Sequence, residues 1–272
     1  MEVTDDHFHL DPRGRRGDAV REFLKAGGSR LVLVHKPYGE WRKLPQFKVQ
    51  VATTLRLAGE ARDAGACVAV VAAPHPVELV QMAEKLGDTV AEDLYLKAVD
   101  HCCTLVAEGE LAGLGELGRP HFPVDAAVWE QANRLLEAAL ARTREVDGAA
   151  VLHTESGTPE VMAELGEIAD RARFPKARLV KHYGGPGALE APAGLAVSVI
   201  ASRTNLRAAA ALGTEFMLET DYLDDPARPG AVMGPRTVPR RTRAALEDGM
   251  LDETLAHRIH VELPDRVYGK FS

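Results

Sequence analysis

The chain has 272 residues, 46% hydrophobic but only 5% aromatic, and a net charge of −7 from 33 basic and 40 acidic side chains. That length suits one α/β barrel of about 250 residues, so residues 1–272 are expected to form a single domain whose core is filled by Val, Leu and Ala. The acidic balance argues against a broad basic surface for gripping extended nucleic acid, although bound metals can supply positive charge locally.

No run reaches the roughly 18 apolar residues that span a bilayer. The acidic start, Met1-Glu2-Val3-Thr4-Asp5-Asp6, is wrong for a secretory leader. A cytoplasmic protein with no membrane partner is expected. Cys67, Cys102 and Cys103 form neither a CxxC pair nor an ordinary disulfide between neighbours, so all three read as reduced.

In chain order, the first strand candidate covers residues 3–9 and ends Asp5-Asp6-His7-Phe8-His9. Strand side chains alternate faces, so His7 and His9 point the same way and can share a metal. The second, Arg30–Val34, leads into a loop with His35, Lys36, Tyr38 and Trp41, which either covers a site or lies on the surface. The third, 67–73, runs into Ala73-Pro74-His75-Pro76, where His75 either lines a site or caps a helix. The fourth, 112–116, ends Gly115-Glu116-Leu117-Gly118, and a helix over 126–143 follows with Val128, Ala132, Leu135, Leu136, Ala139 and Leu140 at helical spacing. The fifth, Ala149–His153, continues into Thr154-Glu155. Then comes a helix over Pro159–Arg171 with Thr158 as its N-cap. The sixth, 177–182, ends Lys181-His182-Tyr183; the seventh is 195–200; the eighth, 216–221, ends Glu219-Thr220-Asp221. His101, His257 and His260 fall in helical stretches and read as structural.

Eight near-continuous apolar strands alternating with helices indicate a parallel sheet covered on both faces, and a closed (β/α)8 TIM barrel accounts for eight of them best. No GxGxxG follows the first strand, which removes the usual dinucleotide signature. In a barrel, catalytic groups stand at the C-terminal ends of strands. There the sequence places His7, His9, Glu116, His153, His182 and Asp221. Each alone has an ordinary explanation: a surface histidine, a satisfied core histidine, a solvated carboxylate, a turn cap. Five strand ends that all carry metal-ligand residue types are a stronger signal. Imidazole with carboxylate suits zinc, manganese, cobalt or nickel, with magnesium a poorer fit.

These motifs resemble the TatD-related metal-dependent hydrolases of the amidohydrolase superfamily, from His7 nearly to Tyr268. The matches are Asp5-x-His7-x-His9, Gly115-Glu116-Leu117-Gly118, Gln131 in the next helix, Val151-x-His153, His182, Glu219-Thr220-Asp221, and the closing Leu263-Pro264-Asp265-Arg266-Val267-Tyr268. The resemblance implies two divalent metal ions: His7, His9 and Asp221 on one, His153 and His182 on the other, and Glu116 bridging. It implies hydrolysis by metal-activated water, with Glu116 and Asp221 as the catalytic carboxylates and Asp221 holding or taking the water's proton. Family members cleave phosphodiesters in DNA, and some remove D-amino acids from tRNA.

Three positions depart from the family pattern. Glu155 replaces an arginine two residues after the strand-five histidine, Arg119 replaces an aspartate, and His182-Tyr183-Gly184-Gly185 replaces His-Cys-Phe-Ser-Gly. An acid at Glu155 repels phosphate unless Arg203, Lys181 or Lys36 offsets it. His75, Glu155, Lys36 and Arg203 are therefore the expected substrate contacts. The leading expectation is a phosphodiesterase acting on a small molecule or a nucleic-acid end, in the manner of a 3′-exonuclease. Hydrolysis of a carboxylic ester or amide, such as D-aminoacyl-tRNA, is the alternative, and a metal-binding protein without turnover is the third.

Overall fold

The computed structural model describes residues 1–272 apart from 214 and 270. It runs β1 (Thr4–His9), α1 (Gly17–Lys25), β2 (Arg30–Val34), α2 (Leu44–Asp63), β3 (Cys67–Val71), α3 (Pro76–Leu86), α4 (Asp88–Ala107), β4 (Gly113–Gly118), α5 (Ala126–Glu145), β5 (Ala149–His153), α6 (Pro159–Arg171), β6 (Leu179–Lys181), α7 (Gly185–Glu190), β7 (Ala196–Ile200), α8 (Arg203–Leu212), β8 (Met217–Glu219) and β9 (Tyr222–Leu223). It ends with α9 (Thr237–Glu247), α10 (Glu253–His257), a π-helical turn (Arg258–Glu262) and α11 (Leu263–Tyr268). The sheet is all parallel, in the order β8-β7-β6-β5-β4-β3-β2-β1-β9. It curls into a nearly closed (β/α)8 barrel, as the alternation of elements predicts. No helix among the described residues is long and apolar enough to cross a membrane.

Two apolar layers follow from strand alternation. Val32, Val34, Ala69, Val71, Ala149, Val151, Val180 and Met217 form one cluster inside the barrel, floored by Leu263, Val267 and Tyr268 of α11. The alternate residues, such as Leu31, Leu33, Val68, Val70, Ala150 and Leu152, pack outward against the helices. Carrying the inner phase two residues on from Val151, Val180 and Met217 reaches His153, His182 and Glu219. The rim chemistry is thus set by the register of the core.

Strand ends differ from the sequence expectation where local geometry intervenes. β6 starts at Leu179 because Lys176–Arg178 form a 3₁₀ turn. β4 continues to Gly118, whose φ is +143°; a Cβ there would stand 2.0 Å from the His153 carbonyl oxygen, so glycine lets β4 and β5 approach. The eighth strand is split. β8 ends at Glu219, and the two-residue β9 then ladders onto β1, Phe8 opposite Tyr222 and His9 opposite Leu223.

At the opposite end, His260 ties β1 to the C-terminal helices. Its Nε2 lies 2.8 Å from Thr242 Oγ1, whose hydroxyl donates to the Val238 carbonyl, so Nε2 carries the proton. Nδ1 then accepts from the Thr4 N–H at 3.2 Å. Burial pushes the His260 pKa down to about 4 from 6.5. A neutral buried histidine takes up its proton mainly in the unfolded chain, so its stabilising contribution is complete above pH 6.5 and is lost as pH falls toward 4. Relative to wild type, His260→Gln is expected to flatten the fall in stability across that window, by up to about 1.4 kcal/mol per pH unit. Denaturant melts from pH 6.5 to 4 check this; parallel curves would mean His260 is not held neutral.

Candidate metal centre

Six side chains expected at the rim meet at its centre, around the buried carboxylate of Glu116. Glu116 Oε1 lies 2.9 Å from His153 Nδ1, 3.0 Å from His182 Nε2 and 3.7 Å from His7 Nε2. Glu116 Oε2 lies 3.9 Å from His9 Nε2. Asp221 Oδ1 closes the other side, 3.4 Å from His9 Nε2 and 3.9 Å from His7 Nε2. Asp221 reaches inward because its backbone turns left-handed, φ 48°, between β8 and β9, a conformation that aspartate tolerates better than most residues.

The second nitrogens of these rings fix their roles. His9 Nδ1 lies 2.9 Å from the Val34 carbonyl, a pure acceptor, so it carries the proton and leaves the Nε2 lone pair facing the cluster. His182 Nδ1 faces Glu219 Oε1 at 3.4 Å without a hydrogen bond, so the carboxylate stands behind the imidazole as a charge partner. The His7 ring stacks on His182 with centroids 4.1 Å apart, and its buried Nδ1 has no partner. Three triplets of potential ligand atoms each lie within 4.8 Å of one another: His7, Glu116 and His182; His7, His9 and Asp221; His75, Glu116 and His153. The first two fit a metal ion by donor chemistry, with imidazole lone pairs and carboxylate oxygens facing inward. The third differs. His75 Nδ1 accepts the Val77 N–H at 3.1 Å as the N-cap of α3, so in neutral His75 the proton sits on Nε2, 3.8 Å from Glu116 Oε2. Burial lowers the His75 pKa to about 3. His75 therefore both caps its helix and lines the site, offering a donor rather than a lone pair.

Electrostatics follow from burial with compensation. Burial alone would raise Glu116, but the charges and hydrogen bonds of His153 and His182 outweigh it and hold the carboxyl well below its ordinary value. His182 is raised to about 10, because Glu219 and Glu116 overcome the burial that would lower it. His7, buried beside His182, is pushed well below 6.5. These carboxylates are poised to hold positive charge.

A cavity of about 350 Å³ opens on the cluster, lined among others by His121, His153, Lys181, His182, Tyr183 and Asp221. His121 escaped sequence reading. Its Nδ1 stands 2.7 Å from His153 Nε2, and its only sequence signal is a place three residues beyond the end of β4. Lys181 is buried, with Nζ donating to the His182 carbonyl at 2.8 Å. Lys36 lies elsewhere, paired with Asp11 at 2.6 Å. Arg203 is exposed at the first position of α8, outside the cavity lining. The loop carrying His35 and Trp41 is packed down rather than open, since buried Trp41 donates Nε1–H to Glu78 at 2.8 Å.

A family model described as TatD related DNase matches residues 4–269. The chain belongs to that family. An uncharacterised protein of Methanocaldococcus jannaschii is 32% identical over 272 residues, covering 98% of this chain and 96% of that protein. Among solved structures, the TatD homologue YjjV of Escherichia coli K12 superposes with a TM-score of 0.66 at 20% identity, covering 98% of each chain. The TatD-like protein of Archaeoglobus fulgidus gives 0.65 at 14% identity, over 97% of this chain and 99% of its own.

As a TatD-family hydrolase, the chain departs from the expected pattern at two positions that answer one another. Glu155 accepts from Arg119 Nε at 3.0 Å and from Arg119 Nη2, forming a bidentate pair. Arg119 is fully buried; it also reaches Asn133 Oδ1 and Glu164 Oε2, each at 3.0 Å, and stacks 4.3 Å from the Trp129 ring. The acid expected to need Arg203, Lys181 or Lys36 is thus neutralised by Arg119. Breaking a buried pair strands the surviving charge. Arg119→Met is expected to destabilise by about 3 kcal/mol, and Glu155→Gln, which keeps the shape, by about 1 kcal/mol. Chemical denaturation checks the ranking; equal small losses would mean that the pair is solvated.

Proposed function

We propose that this TatD-family chain is a dinuclear metal-dependent hydrolase that cleaves a phosphodiester at a free nucleic-acid end. The observation that carries the reading is Glu116, whose carboxylate stands between two imidazole sets. His7, His9 and Asp221 would hold one ion, His153 and His182 the other, and Glu116 would join them. Zinc, manganese, cobalt or nickel suits these donors better than magnesium. Bound metals would polarise the phosphoryl oxygen and make water a stronger acid.

The chain's own residues supply the rest. The Asp221 side chain is 18% exposed against 5% for Glu116, so of the two it is the carboxylate that meets incoming water and accepts its proton. Glu219, behind the cluster, lies 3.4 Å from His182 Nδ1 and accepts the Tyr183 N–H at 2.8 Å. Lys181 contributes positive charge to the cavity wall, where an anionic phosphate would lie. His75 faces Glu116 Oε2 with Nε2 at 3.8 Å, beyond hydrogen-bond reach, and lines the wall beside it. An ester or amide substrate with a free ammonium would need an acid available to bind it; Glu155 is engaged by Arg119, which weakens that reading.

Elemental analysis of gently purified protein is expected to give about two transition-metal ions per chain. Glu116→Gln should lower both metal content and turnover more than His75→Ala, whose loss should fall in the range of about 10–100-fold typical of outer partners. Equal losses would mean the bridge is misplaced, and a protein that neither holds nor takes up metal and turns over no model ester would be a different kind of molecule.

The cluster lies at the floor of a concave rim, and −7 net charge gives little grip on continuous duplex. A linear single strand should therefore be degraded faster than the same sequence ligated into a circle. Comparable rates would rule out end-specific attack. Cleavage of neither, with hydrolysis of an aminoacyl ester, would favour the deacylase reading.

A further inference from the structure

The chain has seven Phe, five Tyr and two Trp, and twelve of these fourteen side chains are buried or half-buried. The two exposed ones are Tyr183, 53% exposed, and Phe122, 38% exposed. Both stand beside histidines of the same cluster, on the loops after β6 and β4. Phe122 meets the His121 ring edge-on with centroids 5.4 Å apart, and His121 lies 4.8 Å from His153. On the other flank, the Tyr183 ring stands 6.1 Å from His182, nearly perpendicular to it. Scattered exposed apolar residues need no explanation, but the concentration of every exposed aromatic at one mouth does.

Tyr183 is also held in place. Its φ is 52°, a left-handed conformation that bulky residues rarely adopt. The Tyr183 N–H is fixed by Glu219 Oε1, and the next N–H, of Gly184, by the Ser198 carbonyl at 2.8 Å. Tyr183 lines the same 350 Å³ cavity as Lys181, His153, His182 and Asp221. One wall of that cavity therefore carries Lys181 and the candidate metal ligands, with Glu155 beside them paired to Arg119, and its outer edge is a solvent-facing aromatic ring on an anchored backbone. A ligand that satisfies both is an anion joined to a flat, apolar ring.

We propose that Tyr183 is a stacking platform for the terminal base of a nucleotide whose phosphate lies over the histidine cluster, with Phe122 and His121 bounding the opposite side. The proposal rests on the phosphodiester reading for its substrate and names the part of that substrate which the outer site recognises. Stacking tolerates any base, because every base has a π-face. The platform therefore selects a base-bearing terminus over a bare sugar phosphate without reading sequence.

The test uses the metal-loaded protein and two single-stranded DNAs that differ only in their terminal residue, one normal and one abasic. Wild type is expected to show a KM roughly 10-fold lower for the base-bearing end, within the range of about 5–150-fold that stacking supplies. Tyr183→Ala should collapse that ratio toward one, whereas Tyr183→Phe, which keeps the ring, should preserve it. A ratio unchanged in Tyr183→Ala overturns the platform, and so does an equal fall in kcat for the Ala and Phe variants. Calorimetric binding of a deoxynucleoside monophosphate against deoxyribose 5-phosphate separates this proposal from the catalytic reading. If neither DNA is cleaved but the nucleotide binds about 10-fold tighter, and Tyr183→Ala abolishes the difference, the phosphodiesterase reading fails and the platform stands. Equal binding of the two ligands by wild type overturns the platform.

Discussion

The barrel closes on a side chain. β1 and β8 lie against each other, but the seam is made by the buried carboxylate of Asp5, which accepts the Thr220 N–H at 2.9 Å and the Thr220 hydroxyl at 2.7 Å. Burial raises the Asp5 pKa to about 7, against the hydrogen bonds that lower it. With Thr220 anchored, the next residue turns left-handed and the chain rejoins β1 as β9. The strand that carries His7 and His9 thereby holds the strand that delivers Asp221. A regular ladder would have kept the eighth strand straight and alternated Asp221 along it. A single side-chain acceptor lets that strand break where the site needs a carboxylate.

Around this seam the barrel interior changes character with height. Its lower layers are Val, Ala and Met over α11, and its rim is a buried polar cluster whose members leave atoms without a hydrogen-bond partner: His7 Nδ1, His182 Nδ1 and Glu219 Oε2. Buried polar atoms without partners cost stability, and a hydrophobic plug would be cheaper. Such a cluster is retained where its charges act on something. Carboxylates and imidazoles packed this tightly repel unless protons or cations lie among them. The close packing of carboxylates and imidazoles is what would make the cluster bind metal well.

Much of this was legible because core register and rim chemistry share one period. His7-x-His9 could be read from alternation alone, and strand boundaries at Arg30–Val34 and Ala149–His153 match the structure. The rest depended on information that periodicity lacks. β9 is two residues long, too short for any pattern, and follows the left-handed turn at Asp221. The shortening of β6 comes from a 3₁₀ turn in a segment whose composition reads as strand. His121 sits on a loop, where no period places a side chain. Arg119 and Glu155 were each visible as a departure, but their union spans 36 positions and needs two adjacent strands in register to appear.

That pair also separates what the barrel fixes in place from what its loops can alter. The candidate metal ligands stand within two residues of strand ends, where a one-residue slip would turn them out of the site. Arg119, His121, Phe122, Glu155 and Tyr183 all lie beyond strand ends, where backbone can move without disturbing the core. Arg119 is the exception among them in being fully buried, and its four side-chain partners make it a loop anchor rather than a free charge. With Glu155 drawn onto Arg119, the mouth of the cavity keeps Lys181 and the exposed ring of Tyr183 as its available chemistry. Local charge and aromatic surface, rather than the net charge of −7, then decide what can approach, because fields from distant surface acids are screened within about 8 Å at physiological salt.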